Sequence, residues 1–366
     1  MDGQGSAMRI SFRNDYSEGA HPRLLQALAQ ASAGQHAGYG TDRHTARAVA
    51  LIRNAVAQPQ ADVHLLVGGT QTNLIAISAF LRPHQAVIAV DAAHIATHET
   101  GAIEATGHKV LTVPALHDKL TPALIQPVLA VHSNEHMVQP RLVYISNSTE
   151  SGTIYTRAEL DALSRFCRAN DLLLYLDGAR LGAALTADGN DLDLPAIATL
   201  TDAFYIGGTK NGALLGEALV IVNPALQADL RYLIKQRGAL LAKGMVVGAQ
   251  FAELFEDSLF FELAAHANAM AQRLRAGLLA AGAHFTSDSP TNQQFIAVSA
   301  QHAAQLVQRY DFERWEVRTD GSQVIRFVTS WATTAASVDR LCADVAALTH
   351  DPEAEGHQYT SRTTSE

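Results

Sequence analysis

A chain of 366 residues, nearly half of them hydrophobic and only 17% charged, is long enough to bury a large core. A net charge of −9 with scattered basic residues excludes a nucleic-acid-binding surface, and no apolar run approaches the length that crosses a bilayer. Two cysteines, Cys167 and Cys342, make no disulfide framework, no residues have metal-ligand spacing and the first eight lack a signal-peptide pattern. The expectation is a soluble cytoplasmic protein without a bound metal, starting naturally at Met1 or Met8.

A short extended piece over 10–17 runs into a polar turn, and His21-Pro22 opens a helix over 23–33 with proline at its favoured first position. The loop 36–44 leads to a helix over 46–56, for which Thr45 is the expected N-cap. From there strand and helix signals alternate. Unalternating Val, Ile, Leu and Tyr runs at 64–67, 86–90, 109–113, 142–145, 172–176, 203–206 and 218–222 read as seven strands covered on both faces. Helical segments lie between them, at 74–81 and at 157–169, the latter with Leu160, Leu163, Phe166 and Cys167 on one face. The pattern predicts a large α/β domain. A long helical reach over 224–281, broken near Gly238 and Lys243-Gly244, then leads to short strands at 284–286, 295–298, 315–318 and 324–328. Helices at 302–310 and 336–349 complete a small C-terminal α+β domain. The expected boundaries are an N-terminal segment 1–20, a large domain 21–240, a small domain 241–349 and a tail 350–366 too poor in apolar residues to order.

Three strand ends carry chemistry. The run Ala203-Phe204-Tyr205-Ile206-Gly207-Gly208-Thr209-Lys210 ends a core strand in two glycines, a hydroxyl and a lysine. Glycines let backbone approach a ligand, and a hydroxyl before a lysine suits a pyridoxal-phosphate site, Thr209 for the phosphate and Lys210 for the Schiff base. A surface turn with a solvated lysine is the plainer reading of this run alone. Asp177 ends the strand before it, about thirty residues upstream, where a carboxylate can pair with a protonated pyridine nitrogen; Arg180 follows within reach of the ring oxygen or phosphate. Gly69, Thr70 and Gln71 sit between a strand and a helix, a natural phosphate cradle. After another strand come His94, which could lie over the cofactor ring, and Glu99, which could hold a water.

These motifs, with Arg13-Asn14-Asp15, Tyr39-Gly40-Thr41-Asp42 and Ile325-Arg326-Phe327-Val328, resemble the low-specificity L-threonine aldolase and β-eliminating lyase group of pyridoxal-phosphate enzymes over residues 10–349. The resemblance implies the aspartate aminotransferase-like fold type I, with a seven-stranded, mostly parallel sheet in the large domain. It implies pyridoxal 5'-phosphate held by Lys210, Asp177, Arg180, Thr209, Gly69, Thr70 and Gln71, with His94 on the ring. Arg326, helped by Asn14 or Tyr16, would bind the substrate carboxylate. Tyr39 matches a residue reaching in from a neighbouring subunit, which implies a homo-oligomer, a dimer of dimers with shared active sites. Two departures stand out. Met245 and Val246 follow Lys243-Gly244 where relatives carry an arginine that crosses to the partner's phosphate, leaving Lys243 as the candidate. The loop Ser146-Asn147-Ser148-Thr149-Glu150-Ser151 also differs from the relatives' rim.

The expected reaction is retro-aldol cleavage of a β-hydroxy-α-L-amino acid, such as threonine or phenylserine, to glycine and an aldehyde. Three acceptors stand for the β-hydroxyl proton: His94, His136 (which aligns with a family histidine) or a water held by Glu99. β-Elimination, racemisation or transamination on the same scaffold is the rival chemistry, and a cofactor-free binding protein the rival class.

Overall fold

The computed structural model describes residues 9–349; the alternative starts at Met1 and Met8 and the tail 350–366 lie outside the described residues. The strands in chain order are β1 (Ile10–Ser11), β2 (Asp62–Leu66), β3 (Gln85–Val90), β4 (Val110–Val113), β5 (Gln139–Ser146), β6 (Leu173–Asp177), β7 (Ala203–Gly207) and β8 (Glu217–Ile221). Beyond these come β9 (His284–Phe285), β10 (Gln293–Val298), β11 (Tyr310–Asp311), β12 (Glu313–Val317) and β13 (Gln323–Val328).

The seven strands expected in the large domain form one sheet, in the order β2-β8-β7-β6-β5-β3-β4. Within it only β8 runs against its neighbours. Every residue of β6, β7 and β8 is buried, as an apolar run must be when helices cover both faces of a sheet. Parallel strands point their carboxyl ends the same way, so the register Ser146 to Asp177 between β5 and β6 sets the chemical residues along one edge.

Two glycines draw β6 and β7 together at that edge. A Cβ on Gly178 would land on the Tyr205 carbonyl oxygen, and one on Gly207 would strike the Ala179 backbone. Instead Gly207 N–H donates to the Gly178 carbonyl at 2.9 Å. The close approach carries the loop holding Lys210 toward Asp177. A Gly178→Ala variant is expected to lose about 3 kcal/mol, the upper end of overpacking costs, because the obstacle is backbone and cannot rotate away. Urea unfolding would measure it, and an unchanged midpoint would contradict the packing argument.

Helix α1 (Pro22–Ser32) has its proline in the first turn, as read from sequence. Helix α2 (Arg43–Ala55) starts earlier than expected, because Asp42 and not Thr45 caps it. The Asp42 carboxylate accepts from the N–H groups of His44 and Thr45 at 3.0 and 2.9 Å, and Thr45 donates its hydroxyl to the same carboxylate at 2.8 Å. Helix α3 (Gly69–Phe80) follows β2 directly and presents its amino end at the carboxyl edge of the sheet.

The small sheet is antiparallel, in the order β12-β13-β10-β9. The N-terminal segment joins this part of the molecule, since β1 pairs in parallel with β11 and Phe12 packs among Tyr310, Ile325 and Phe327. The two breaks expected in the reach over 224–281 fall in one non-helical stretch between Gln236 and Met245. The reach is also interrupted before Leu230, where Asp229 takes positive φ, and at Glu256–Ser258, where Asp257 and Ser258 do. Residues 241–258, assigned by sequence to the small domain, pack on the large one. Val247, Phe251 and Leu254 of the helix Met245–Phe255 enter the large core beside α1 and α2.

Candidate active site

At the carboxyl edge of the large sheet lies a cavity of ≈ 290 Å³. Gly68, Gly69 and Thr70 line it from the amino end of α3, His94 from a one-turn helix after β3, Asp177, Ala179 and Arg180 from β6 onward, and Thr209 and Lys210 from the turn after β7. Segments from Tyr16 to Glu217 meet here, most of them because the parallel topology ends them on one edge.

Asp177 is the buried hub. Its Oδ2 accepts from Tyr144 Oη at 2.5 Å and Asn73 Nδ2 at 3.0 Å, and its Oδ1 accepts from Ala179 N–H at 3.0 Å. Burial alone would raise its pKa, but the tyrosines, His94 and Asn73 outweigh it and hold the group below the usual carboxylate range. Asn73 extends the network, donating also to Glu99 Oε1 at 2.8 Å and accepting from Tyr175 Oη at 3.1 Å. Glu99 in turn holds His94 Nδ1 at 2.8 Å. Burial disfavours imidazolium at His94, but Glu99, Glu150 and Asp177 overcome this and raise its pKa.

Lys210 Nζ faces the cavity 6.0 Å from the centre of the Tyr16 ring, with no hydrogen bond or ion pair to another described residue. Burial and the nearby Arg180 cation lower its pKa below the ordinary lysine value, against the pull of Asp15, Asp177 and Glu150. Arg180 itself is committed. Its Nε and Nη2 donate to both oxygens of Asp15 at 2.7 and 3.1 Å, and Asn292 Nδ2 donates to Asp15 at 2.9 Å.

Not every residue expected here lines the cavity. His136 is exposed on the loop before β5, at the amino end of a strand whose eight residues span roughly 25 Å, so it does not join this chain's cluster. Glu99 stands behind His94, with Oε2 enclosed and unpartnered, and orients the imidazole. Gln71 turns back to accept from Val67 N–H at 3.4 Å. Asn14 is spent on its own turn, accepting from Tyr16 N–H and Ser17 Oγ. Tyr16 does reach the cavity, 53% exposed. Arg326 lies on β13, stacked 4.7 Å over Trp315 and donating to Gln293 Oε1, within electrostatic reach of Arg180, Asp15 and Glu150. Tyr39 and Lys243 are exposed outside the cavity on adjoining loops, where Tyr39 N–H donates to the Ala242 carbonyl at 3.3 Å.

Sequence reasoning gave no role to Asn73, Tyr144, Tyr205, Glu150 or Glu217. The tyrosines sit inside apolar strand runs and read as core. Glu150 belongs to the loop marked as divergent, and Glu217 is a carboxylate opening an otherwise apolar strand, so both left a trace. Asp15 was quoted in a motif but given no role.

The residues present suit pyridoxal phosphate. Amides at the amino end of a twelve-residue helix, with the Thr70 hydroxyl, form a donor set for a phosphate, Thr209 lines the same cavity, and a Cβ on Gly68 would meet nothing within 4 Å. An unpartnered amine and an ionised carboxylate share the same cavity.

Comparisons agree with this geometry. The beta-eliminating lyase family matches residues 12–301. A low specificity L-threonine aldolase from Pseudomonas sp. (strain NCIMB 10558) is 34% identical over 346 residues, covering 92% of this chain and 97% of that protein. Another from Pseudomonas aeruginosa is 32% identical, covering 91% and 96%. The structure of Leishmania major threonine aldolase matches with a TM-score of 0.92 and 51% identity over 93% of this chain and 99% of that one. A single mutant of Thermus thermophilus aspartate aminotransferase, at 16% identity, shares the fold with a TM-score of 0.72, covering 94% and 92%.

Proposed function

Because the chain belongs to the beta-eliminating lyase family, we propose that it is a pyridoxal-phosphate-dependent aldolase that cleaves β-hydroxy-α-L-amino acids such as threonine to glycine and an aldehyde. The observation that carries this reading is the meeting of Lys210, Asp177 and the amino end of α3 around one cavity, in a chain whose full-length relatives bear the threonine aldolase name.

The cofactor, when bound, supplies an electron sink for breaking the Cα–Cβ bond. The protein does the rest. Lys210, its pKa lowered, would supply the amine that holds the cofactor. Asp177, kept ionised by its donors, would pair with the protonated ring nitrogen of the cofactor. Gly69, Thr70 and Thr209 hold the phosphate. Arg326 presents a planar fork to the substrate carboxylate, its guanidinium fixed from below by Trp315. His94 is the base at the β-hydroxyl: Glu99 occupies Nδ1, which leaves Nε2 to take the proton, and the raised pKa lets the ring keep it.

Tyr39 and Lys243, exposed on adjoining loops, would each reach a neighbouring copy's site in a homo-oligomer. Cytoplasmic location goes with this reading, and no helix among the described residues is long and apolar enough to cross a membrane.

Incubating the protein with pyridoxal phosphate and L-threonine is expected to release glycine and acetaldehyde in equal amounts. Ammonia with a keto acid, or a racemised or transaminated product, would instead assign the rival chemistry on the same scaffold.

A further inference from the structure

Glu217 opens β8 and pairs in register with Gly207 on one side and Leu66 on the other. It is 4% exposed and lines the cavity beside Gly69, Thr70 and Thr209. The Thr209 hydroxyl and the Gly208 N–H stand against its carboxyl, yet Oε2 is buried with no hydrogen-bond partner. Nothing in the proposed mechanism uses this group. A buried carboxylate oxygen without a donor is costly, and a phosphate dianion brought beside it would add repulsion.

Resting on the proposed cofactor site, we infer that Glu217 meets the cofactor phosphate as an uncharged carboxylic acid, donating a hydrogen bond from Oε2 to a phosphate oxygen. Protonation removes the clash of charges and gives the orphaned oxygen a partner. The groups facing Glu217 favour it. Burial raises the carboxyl above its ordinary range, the Asp177 carboxylate adds to the shift, and Lys210 opposes it. The remaining titratable neighbours, Tyr175 and Tyr205, are buried and held neutral. The competing role is an ion pair between Glu217 and Lys210, which needs the carboxyl charged and takes no part in phosphate binding.

The two roles separate when cofactor-free protein is titrated with pyridoxal phosphate and, in parallel, with pyridoxal, which lacks the phosphate, from about pH 7 to 10, a range that spans the values of roughly 8–9 documented for buried glutamates. The phosphate ester has completed its second ionisation by then, its pKa being about 6, and any titration of Lys210 affects both probes alike and cancels in their affinity ratio. The wild-type ratio is expected to fall with rising pH, by up to about tenfold per unit, while Glu217→Gln, a donor that cannot ionise, keeps a constant ratio. A constant wild-type ratio, or an equal decline in Glu217→Gln, overturns the inference. Infrared difference spectra of the wild-type protein on binding give a second readout that needs no variant. A protonated-carboxyl band supports the inference, and carboxylate bands alone overturn it. A protein that binds neither probe refutes the cofactor reading itself, and the inference with it.

Discussion

Lys210→Ala is expected to slow threonine cleavage by about 10⁴-fold or more while leaving the protein folded. A loss of that order follows removal of a nucleophile for which nothing nearby can substitute. The cations close by are Arg180, locked onto Asp15, and Arg326, held by Gln293 and Trp315; neither guanidinium deprotonates near neutral pH. Lys210→Arg is therefore expected to be as inactive as the alanine variant. Stability should hold or improve in Lys210→Ala, since the amine is partly buried beside the Arg180 guanidinium and has no ion-pair partner to lose. Glycine release and thermal unfolding of the two variants check both halves. Activity above about one hundredth of wild type in either would remove Lys210 from its assigned role.

Asp15→Ala is expected to cost about 3–5 kcal/mol, the loss that follows when one partner of a buried ion pair is deleted. Side-chain exposure is 10% for Arg180 and 1% for Asp15, so little solvent screens the pair. The variant leaves the guanidinium buried beside Lys210 and takes from the Asn292 amide one of its two acceptors, the Thr329 carbonyl at 2.9 Å remaining. Because Asp15 comes from the N-terminal segment and Asn292 from the residues just before β10, the change also unties the two layers at the cavity. Burial works to raise the Asp15 pKa, but Arg180 and Lys210 overcome it, so the folded value lies below the unfolded one. The stabilisation is then complete above the unfolded carboxylate pKa of about 3.9 and is lost as pH falls through the folded value. Urea unfolding at neutral pH reads the loss. A double variant, Asp15→Ala with Arg180→Met, should recover part of it by removing the stranded charge, and no recovery would mean that the ion pair is not what the single variant broke.

Much of the fold was legible because buried strands leave a local signature. Seven apolar runs with helical spacing between them predict a covered sheet, and a carboxylate or lysine at the end of such a run is conspicuous for its cost of burial. Lys210, Asp177, Arg180, Gly69, Thr70, Thr209 and His94 were found that way, or through motifs around them, and all line one cavity. His136, Gln71 and Asn14 were proposed by alignment or proximity in sequence, and neither says which sheet edge a side chain will face.

By itself the sequence determined the chemistry at each strand end, since a residue's position in an apolar run is a local property. Tertiary structure alone decided the partnerships. Asn73 links Asp177 to Glu99 across three elements, Asp15 neutralises Arg180 from 165 residues away, and β1 pairs with β11 some 300 residues downstream. Such pairs depend on the order in which the strands lie side by side and on how closely Gly178 and Gly207 let two of them approach. No periodicity records either, because each is set by packing between segments and not within one.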